Sequence, residues 1–193
     1  LKGQTVILDL GANVDCSNDN LVQFALMGDI FSQQLMGIKN PKIGLLNVGA
    51  EEIKGNSVVK QTFDDLKKIS SKINFYGFIE GNDINKGIVD VVVTDGFSGN
   101  IALKTAEGVA ELIFTFLQNS YRSSFLSKIG YILSKPALNR FKTRIDPRKY
   151  NGAVLLGLNG IVVKSHGGTD AFGFSNAIGV AVSLIENSYV SEI

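Results

Sequence analysis

The chain has 193 residues, 45% of them hydrophobic and 19% charged, with a formal net charge of +1. This composition is typical of one globular domain, and it excludes a disordered chain and a protein whose whole surface binds nucleic acid. The single cysteine excludes an internal disulfide and fits a reducing compartment, so we expect a cytoplasmic location. The sequence shows no charged-then-apolar leader and no apolar run long enough to cross a bilayer. Leu1 lies so close to the first strand that we expect the C-terminal part of a longer protein.

Apolar runs alternate with helical patterns and predict secondary structure in the following chain order. We predict a strand at 5–8, a helix at about 21–35 capped by Asn18 or Asp19, a strand at 42–48 and a helix at 57–69. Strands at 73–79 and 88–94 follow, then a helix at about 100–119 and one or two helices over 122–145, interrupted at Pro136. Short strands at 154–158 and 161–164, joined by an Asn159-Gly160 hairpin turn, precede a helix at about 170–188.

The alternation of strands and helices predicts an α/β fold of three layers, in which helices cover both faces of a mostly parallel sheet. We expect one domain over residues 1–193, with a helical insertion at about 107–150. No internal repeat or low-complexity linker divides the chain.

The stretch from Asp90 to Asn100 is the most informative part of the sequence, because a buried apolar strand runs into a short polar turn. The turn opens onto a helix that begins near Ile101, so we expect unpaired backbone N–H groups and the positive end of the helix to face a ligand. Asp95 and Asn100 add a carboxylate and an amide at the same place. The segment therefore predicts an oxyanion or phosphate pocket.

Four polar, glycine-rich loops follow predicted strands, at 9–15, 47–56, 95–100 and 164–168. Loops that follow parallel strands gather along one edge of the sheet, so we expect these four to form a single site. The alternative is that each loop is an ordinary turn rich in turn-forming residues.

Three side chains in and near these loops suit anion or acid–base chemistry. Lys54 can neutralise an oxyanion and lies beside Gly55-Asn56, whose backbone can approach a phosphate; an ordinary surface lysine is the alternative. His166 is the one histidine, the side chain type that exchanges protons near neutral pH; a structural donor is the alternative. Cys16 beside Asp15 is a candidate nucleophile, but burial as a small apolar residue is the simpler interpretation.

Several common motifs are missing from the sequence. It contains no G-x-G-x-x-G, no G-x-x-x-x-G-K-[ST] and no G-x-S-x-G, the fingerprints of dinucleotide sites, nucleotide P-loops and nucleophile elbows. One histidine and one cysteine offer no metal-ligand spacing, so we predict no metal site and no cofactor. The sequence therefore predicts a site that binds phosphate and lacks the usual nucleotide-binding motifs.

The segment 112–145 holds six basic residues and no acidic one. Its apolar residues recur at helical spacing, and this acid-free amphipathic pattern suits an anionic membrane surface or an acidic protein partner. Packing on the core or on a second subunit is the alternative. The predicted docking residues are Phe125, Lys128, Ile129, Ile132, Arg140, Phe141, Lys142 and Arg144.

Seven segments spread over nearly the whole chain carry a family resemblance: LDLGANVDC (8–16), GIKNP (37–41), GLLNVG (44–49), KGN (54–56), DGFSGN (95–100), LLGLNG (155–160) and KSHG (164–167). In this order they resemble the phosphate acyltransferase family (PlsX) of bacterial phospholipid synthesis. The N-terminal portion of that family, with its glycine-rich motif and early strands, is absent from this sequence. Thr169-Asp170 also departs from the smaller or amide residues of the family pattern.

The resemblance implies a fold like that of isocitrate and isopropylmalate dehydrogenases, without a nicotinamide cofactor. The amphipathic pattern of the basic segment adds the expectation of a protruding helical hairpin. It implies transfer of a long-chain acyl group from acyl carrier protein to inorganic phosphate, by a homodimer attached peripherally to the cytoplasmic membrane. The catalytic residues it implies are His166, Lys54, Asn100 and Asp95. The substrate-binding residues it implies are Asn13, Asp15, Asn47, Gly55, Asn56, Gly96, Phe97, Ser98, Gly99, Lys164 and Ser165.

Two rival interpretations stay open. The first is another enzyme of the same architecture, either a phosphotransacetylase that acts on coenzyme A esters or a dehydrogenase, and the missing dinucleotide glycines argue against the dehydrogenase. The second is a non-catalytic half that docks on membranes and recruits acyl carrier protein. The basic segment would suit that role, because acyl carrier proteins are acidic.

Overall fold

The computed structural model describes residues 4–187 and 189. Internal contacts group the chain into two compact units. The first comprises Leu1–Leu103, Leu155–Val162 and Val182–Ile193, and the second comprises Lys104–Val154 and Val163–Ala181. The prediction of a single domain with a helical insertion at about 107–150 stays a prediction, and the two units are described in turn.

A four-stranded parallel sheet forms the centre of the first unit. Its strands are β1 (Val6–Leu8), β2 (Lys42–Leu46), β3 (Asn74–Ile79) and β4 (Val91–Val93), in the spatial order β1-β4-β2-β3. Val91 of β4 pairs with Val6 on one side and with Ile43 on the other. The three consecutive valines of β4 are fully buried, as expected of a central strand covered on both faces.

Two helices of the first unit pack beside this sheet. They are α1 (Asn18–Met36), which contacts β1, β2 and β4, and α2 (Ser57–Lys68), which contacts β3 and α1. A Cβ atom at Gly28 of α1 would lie 2.6 Å from Val91 Cγ1, so glycine there lets the helix approach the sheet closely. These elements confirm a parallel α/β sheet flanked by helices.

The cap of α1 differs from the sequence prediction. Ser17, not Asn18 or Asp19, is the N-cap, because its hydroxyl accepts from the Asn20 backbone while the Asn20 side chain accepts from the Ser17 backbone. This reciprocal capping box satisfies two N–H groups at the helix start. The helix ends at Gly37, whose φ of 66° is a left-handed value that suits glycine.

The core has two parts, one on each face of the sheet. Residues that alternate along a strand point to opposite faces, so Val91 and Val93 face one way and Val92 the other. The larger cluster includes Leu21, Phe24, Ile43, Leu45 and Leu66 with Val91 and Val93. The smaller includes Ile79, Val89 and Val92.

The helix α3 (Gly96–Arg122) begins earlier than the sequence predicts. The polar segment 95–100 is therefore the cap and first turn of the helix and not a separate loop. The helix α4 (Phe125–Arg144) follows, and it continues through Pro136, so the predicted interruption is wrong. Proline removes one helical N–H, and α4 tolerates this because it has no buried residue and water can reach the freed carbonyl group.

The second unit contains most of α3, α4, a small antiparallel ladder and the start of α5 (Ala171–Glu186). The rings of Phe114 and Phe141 lie 5.9 Å apart and those of Tyr121 and Tyr131 5.4 Å apart, so α3 and α4 contact each other along antiparallel directions. A 3-10 turn at Pro147–Tyr150 follows α4. In the described ranges 4–187 and 189, no helix combines the length and the apolar character needed to cross a membrane.

The ladder differs from the predicted hairpin. Strand β5 (Ala153–Val154) pairs with β6 (Val163–Lys164), and residues 155–162 connect them, so Asn159-Gly160 is not a two-residue turn. Gly157 has a φ of 77°, a left-handed value that ends the extended run before Asn159. The predicted end of the last helix, at residue 188, lies outside the described residues.

Candidate functional site

The loop after β1 is folded around the carboxylate of Asp9. That carboxylate accepts hydrogen bonds from the backbone N–H groups of Gly11 (2.8 Å), Ala12 (2.8 Å) and Asn13 (2.7 Å), and from the Asn13 side-chain amide (2.9 Å). Burial opposes ionisation of Asp9, but these hydrogen bonds outweigh it and hold its pKa below the ordinary value. Asp9 is therefore a charged anchor that fixes the loop.

This loop packs directly on the first turn of α3. The backbone N–H of Gly96 donates to the Asn13 carbonyl at 2.9 Å, and a Cβ at Gly96 would lie 2.5 Å from the same oxygen. Gly99 faces the Asp9 carbonyl, and the Cβ position of Gly11 lies 3.4 Å from the Asn100 side-chain nitrogen. The structure thus brings Asn13, Gly96, Gly99 and Asn100 together.

The backbone N–H groups at the start of α3 are used within the chain. The Asp95 carboxylate accepts from the Ser98 N–H at 2.7 Å and from the Ser98 hydroxyl at 2.9 Å, and the Asp95 carbonyl accepts from the Gly99 N–H at 2.9 Å. With Gly96 bonded to Asn13, the prediction that these N–H groups face an anion is wrong for Gly96, Ser98 and Gly99. The physical reason is that Asp95 caps the positive end of the helix itself.

The loop after β2 is closed by Asn47, which is 9% exposed. Its side chain accepts from the Val48 N–H at 2.9 Å and donates to the Lys54 carbonyl at 3.2 Å. A Cβ at Gly55, whose φ is 95°, would lie 2.5 Å from the Asn47 oxygen. Asn56 ends the loop by accepting from the Val59 N–H, as the N-cap of α2.

Lys54 is the cation of this loop. Its ammonium lies 2.8 Å from the Glu51 carboxylate, and its side chain is 45% exposed. The hydrogen bond to Glu51 raises the pKa of Lys54, so the ammonium stays charged at neutral pH. Because β2 and β4 are neighbours in the sheet, the Lys54 loop and the start of α3 leave the sheet at the same edge.

Cys16 is poorly suited to act as a nucleophile. Burial raises the pKa of its thiol, and the carboxylates of Asp9, Asp95 and Asp15 raise it further, against a hydrogen bond with the Gly96 backbone. The thiol also lies 3.5 Å from the Asn13 carbonyl. A thiol held protonated is a weak nucleophile.

The loop that contains His166 lies in the second unit. The exposed His166 ring accepts a hydrogen bond at Nδ1 from the Gly168 N–H at 3.2 Å. Lys164 is exposed beside it, and Ser165 accepts from the Asn151 side chain at 2.8 Å. Whether this loop joins the three loops of the first unit, as the sequence predicts, stays a prediction.

Asp170, which departs from the family pattern, caps α5. Its carboxylate accepts from the Gly173 N–H at 3.0 Å and from Arg148 at 2.7 Å, and both contacts lower its pKa. Arg148 also bonds Asp146, whose pKa it lowers to about 2. Arg148 therefore ties the turn after α4 to the first turn of α5.

The family model described as "Fatty acid synthesis protein" matches residues 1–192. The chain belongs to this family. A phosphate acyltransferase of Paramagnetospirillum magneticum is 58% identical over 100% of the chain, which covers 55% of that relative. Phosphate acyltransferases of Rhodospirillum centenum and Gluconacetobacter diazotrophicus are 55% and 52% identical over 100% of the chain, which covers 54% and 52% of them.

The chain spans about half the length of the curated relatives it matches. The family resemblance drawn from the seven sequence segments is confirmed.

The eight docking residues predicted on α4 are all exposed. Phe125 is 77% exposed, Ile132 68%, Phe141 49% and Ile129 41%. The basic side chains of Lys128, Arg140, Lys142 and Arg144 are exposed on the same helix. Within residues 4–187 and 189, no group of three or more histidine, cysteine, aspartate or glutamate residues is placed to hold a metal ion.

The sequence prediction missed two residues that hold loops in place, Asp9 and Asn151. Asp9 carries a usable signal, because the pattern Asp-x-Gly-x-Asn at a strand end favours side-chain bonds from the aspartate to the backbone N–H groups that follow it. Asn151 carries none, since its partners lie 14 to 22 residues away along the chain.

Proposed function

We propose that the protein transfers a long-chain acyl group from acyl carrier protein to inorganic phosphate and forms acyl phosphate for phospholipid synthesis. The observation that carries this proposal is the match of the whole chain to relatives named phosphate acyltransferase, at 50–58% identity. Because the chain covers about half of each relative, the activity is proposed for the full-length protein.

Phosphate is held, in this proposal, by side chains at the carboxyl edge of the sheet. The Lys54 ammonium supplies the positive charge, and the Asn100 amide supplies a donor at the start of α3. Asn56 is a further amide at the end of the Lys54 loop, and Asn13 is one in the Asp9 loop that packs on α3. Asp95 acts by capping α3 and so positioning Asn100, because its carboxylate is already bonded to Ser98.

The remaining residues of the proposed site shape these loops or extend them. Asn47 and Gly55 hold the Lys54 loop, and Gly96 and Gly99 let the Asp9 loop pack on α3. Further residues of the same loops are proposed to contact substrate. In the first unit these are the exposed Asp15 and Phe97 and the half-buried Ser98, and in the His166 loop of the second unit they are the exposed Lys164 and the half-buried Ser165.

The chemistry is direct attack of a phosphate oxygen on the carbonyl carbon of the acyl thioester. A C–O bond forms and the C–S bond breaks, and the proton that hydrogen phosphate carries ends on the departing thiolate. Phosphate is already an anion at neutral pH, so no strong base is needed. His166 is proposed to donate a hydrogen bond from Nε2 to the sulfur as it leaves, because its Nδ1 already accepts from Gly168.

The finer features of the fold and assembly are also proposals. We propose an arrangement like that of isocitrate and isopropylmalate dehydrogenases, with α3 and α4 forming a protruding amphipathic hairpin. We propose a cytoplasmic homodimer that attaches peripherally to anionic membranes. The exposed apolar and basic residues of α4 support the membrane contact, since such faces bind anionic lipid surfaces.

The test is an assay of the full-length protein with matched acyl thioesters of acyl carrier protein and of coenzyme A. We expect phosphate-dependent loss of the carrier thioester and a product that hydroxylamine traps as a hydroxamate. Preference for the coenzyme A ester would replace this proposal with a phosphotransacetylase. Carrier binding with no turnover of either ester would favour the docking half without catalysis.

A further inference from the structure

Asn151 is a buried amide whose hydrogen-bonding groups are all engaged within the second unit. It is 8% exposed and lies between the turn after α4 and β5. Its nitrogen donates to the Ser165 hydroxyl at 2.8 Å and to the Gly173 carbonyl at 2.8 Å, and its oxygen accepts from the His166 backbone N–H at 2.9 Å. A fully satisfied buried amide fixes the segments it joins.

The orientation of this amide follows from its partners. A carbonyl group can only accept, so the Gly173 contact requires the Asn151 nitrogen to face α5. The oxygen must then face His166, where the partner is a backbone donor. Asn151 therefore fastens both Ser165 and His166 to the first turn of α5.

The same loop fixes the proton position on the His166 ring. Nδ1 accepts from the Gly168 N–H, so in the neutral ring the proton lies on Nε2. The Thr169 N–H donates to the His166 carbonyl at 3.1 Å, and this main-chain hydrogen bond closes the turn that contains His166. Asn151 anchors one end of this turn, and Arg148 anchors α5 through Asp170.

We propose that Asn151 is a positioning residue for acyl transfer, which acts by holding the His166 turn so that Nε2–H faces the leaving sulfur. This inference rests on the proposed function of His166. Asn151 touches no substrate in this proposal. Its effect passes through the main chain of Ser165 and His166, and it should disappear when the imidazole is removed.

The experiment is a double-mutant cycle in the full-length enzyme, with Asn151→Ala, His166→Gln and the pair. We expect Asn151→Ala to lower kcat up to about 100-fold, with the KM for phosphate and for the acyl carrier thioester changed less than about twofold. In the His166→Gln background the same change should have almost no further effect, because the coupled group is gone. If the kcat losses of the two single variants multiplied in the double variant, the proposal would be overturned.

Asn176→Ala is the matched control, because Asn176 also donates from its side chain to a main-chain carbonyl, that of Arg148, in the same unit. Its kcat should stay within about twofold of the unchanged enzyme. Asn151→Asp keeps the side-chain size and the oxygen that accepts from the His166 N–H, but it loses the N–H donors to Ser165 and Gly173. If the alanine variant does not fold, the same double-mutant cycle is measured with Asn151→Asp. Equal losses in Asn151→Asp and Asn176→Ala would also overturn the proposal.

An independent readout separates this inference from the proposed function. The ¹⁵N shifts of the imidazole, assigned by comparison with His166→Gln, report which ring nitrogen carries the proton. We expect Nε2–H alone in the unchanged protein and a mixture of both forms in Asn151→Ala. If Asn151→Ala gave the mixture but His166→Gln kept full activity, the catalytic role of His166 would be refuted, and Asn151 would be shown only to hold the His166 turn. Unchanged shifts in Asn151→Ala would refute the positioning role.

Discussion

The carbonyl oxygen of Asp9 faces Gly99 in the first turn of α3, with no space between them for a side chain. One turn earlier, Gly96 meets the Asn13 carbonyl in the same way and donates its N–H to it. Two glycines at a spacing of three residues thus let a strand-end loop lie directly on a helix start. This contact sets the position of Asn100, the amide proposed to bind phosphate.

The first prediction concerns this contact. Gly99→Ala should destabilise the full-length protein by about 2–3 kcal/mol, because the added methyl group cannot fit against the Asp9 carbonyl without a backbone shift. Gly108→Ala is the matched control in the same helix, since, apart from its chain neighbours and the surrounding helix backbone, no atom lies within 4 Å of its Cβ position. It should stabilise the protein by up to about 1 kcal/mol through helix propensity.

Urea unfolding of both variants measures these changes. The phosphate KM should rise in Gly99→Ala and stay constant in Gly108→Ala, because only the first displaces the Asp9 loop from Asn100. Equal stability of the two alanine variants would contradict the packing described for Gly99.

The second prediction concerns the charge of Asp9. Its folded-state pKa lies below the ordinary value, so its ionised form stabilises the fold above the unfolded-state pKa, and this contribution is lost as the pH falls through the folded value. Asp9→Asn should therefore lower the free energy of unfolding at pH 7 by about 2 kcal/mol, as the charged acceptor is lost. Below about pH 4 the difference from the unchanged protein should shrink.

Thermal unfolding between pH 3 and pH 7 tests the Asp9 variant. Asp64→Asn is a suitable control, because Asp64 is an exposed carboxylate on α2. A constant difference between Asp9→Asn and the unchanged protein at every pH would show that the loop does not depend on the charge.

The start of α3 shows where sequence reasoning succeeds and where it fails. The valine run of β4 predicts a buried strand correctly, because three β-branched residues in a row suit a sheet covered on both faces. The segment 95–100 that follows contains two glycines and three polar residues, which predict a turn, but the chain is helical from Gly96. Its glycines are required by contacts with Asp9 and Asn13, which lie more than 80 residues away in the chain.

The candidate site shows the same division. Lys54, Asn56 and Asn100 can be chosen from the sequence because their loops follow predicted strands. The internal use of the Gly96, Ser98 and Gly99 N–H groups could not be predicted, since it depends on the Asn13 carbonyl and on Asp95 acting as a cap. Asn151 escapes prediction for the same reason, because burial and distant partners define its role.

The third prediction uses the ion pair between Lys54 and Glu51. Lys54→Gln should raise the phosphate KM by about tenfold, because a charge-assisted hydrogen bond to the anion is lost. Glu51→Gln should act in the opposite direction and lower it, since the ammonium is freed from a carboxylate 2.8 Å away. Steady-state kinetics at varied phosphate concentration measures both.

Lys60→Gln is the control for these variants, because Lys60 is an exposed lysine on α2. It should leave the phosphate KM unchanged. A rise in KM for Glu51→Gln equal to that for Lys54→Gln would show that the pair stabilises the loop and that Lys54 does not bind phosphate.

The fourth prediction concerns the docking surface proposed on α4. Phe125→Asp combined with Ile132→Asp should weaken binding of the full-length protein to anionic vesicles by at least about 100-fold, because two exposed apolar side chains no longer enter the interface. Tyr76→Asp, on the exposed side of β3, is the control and should bind like the unchanged protein. Vesicles without anionic lipid should bind the unchanged protein more weakly, because each basic residue near an anionic surface adds about 1 kcal/mol.

Co-sedimentation with vesicles and separate binding to acyl carrier protein distinguish the two partners proposed for this surface. Because lipid contact depends on the apolar side chains, the double aspartate variant should lose vesicles and keep the carrier. If it kept vesicles and lost the carrier, the surface would serve recruitment of the acidic protein instead, through the basic residues between the apolar ones. Retention of both ligands would contradict a docking role for the apolar residues of α4.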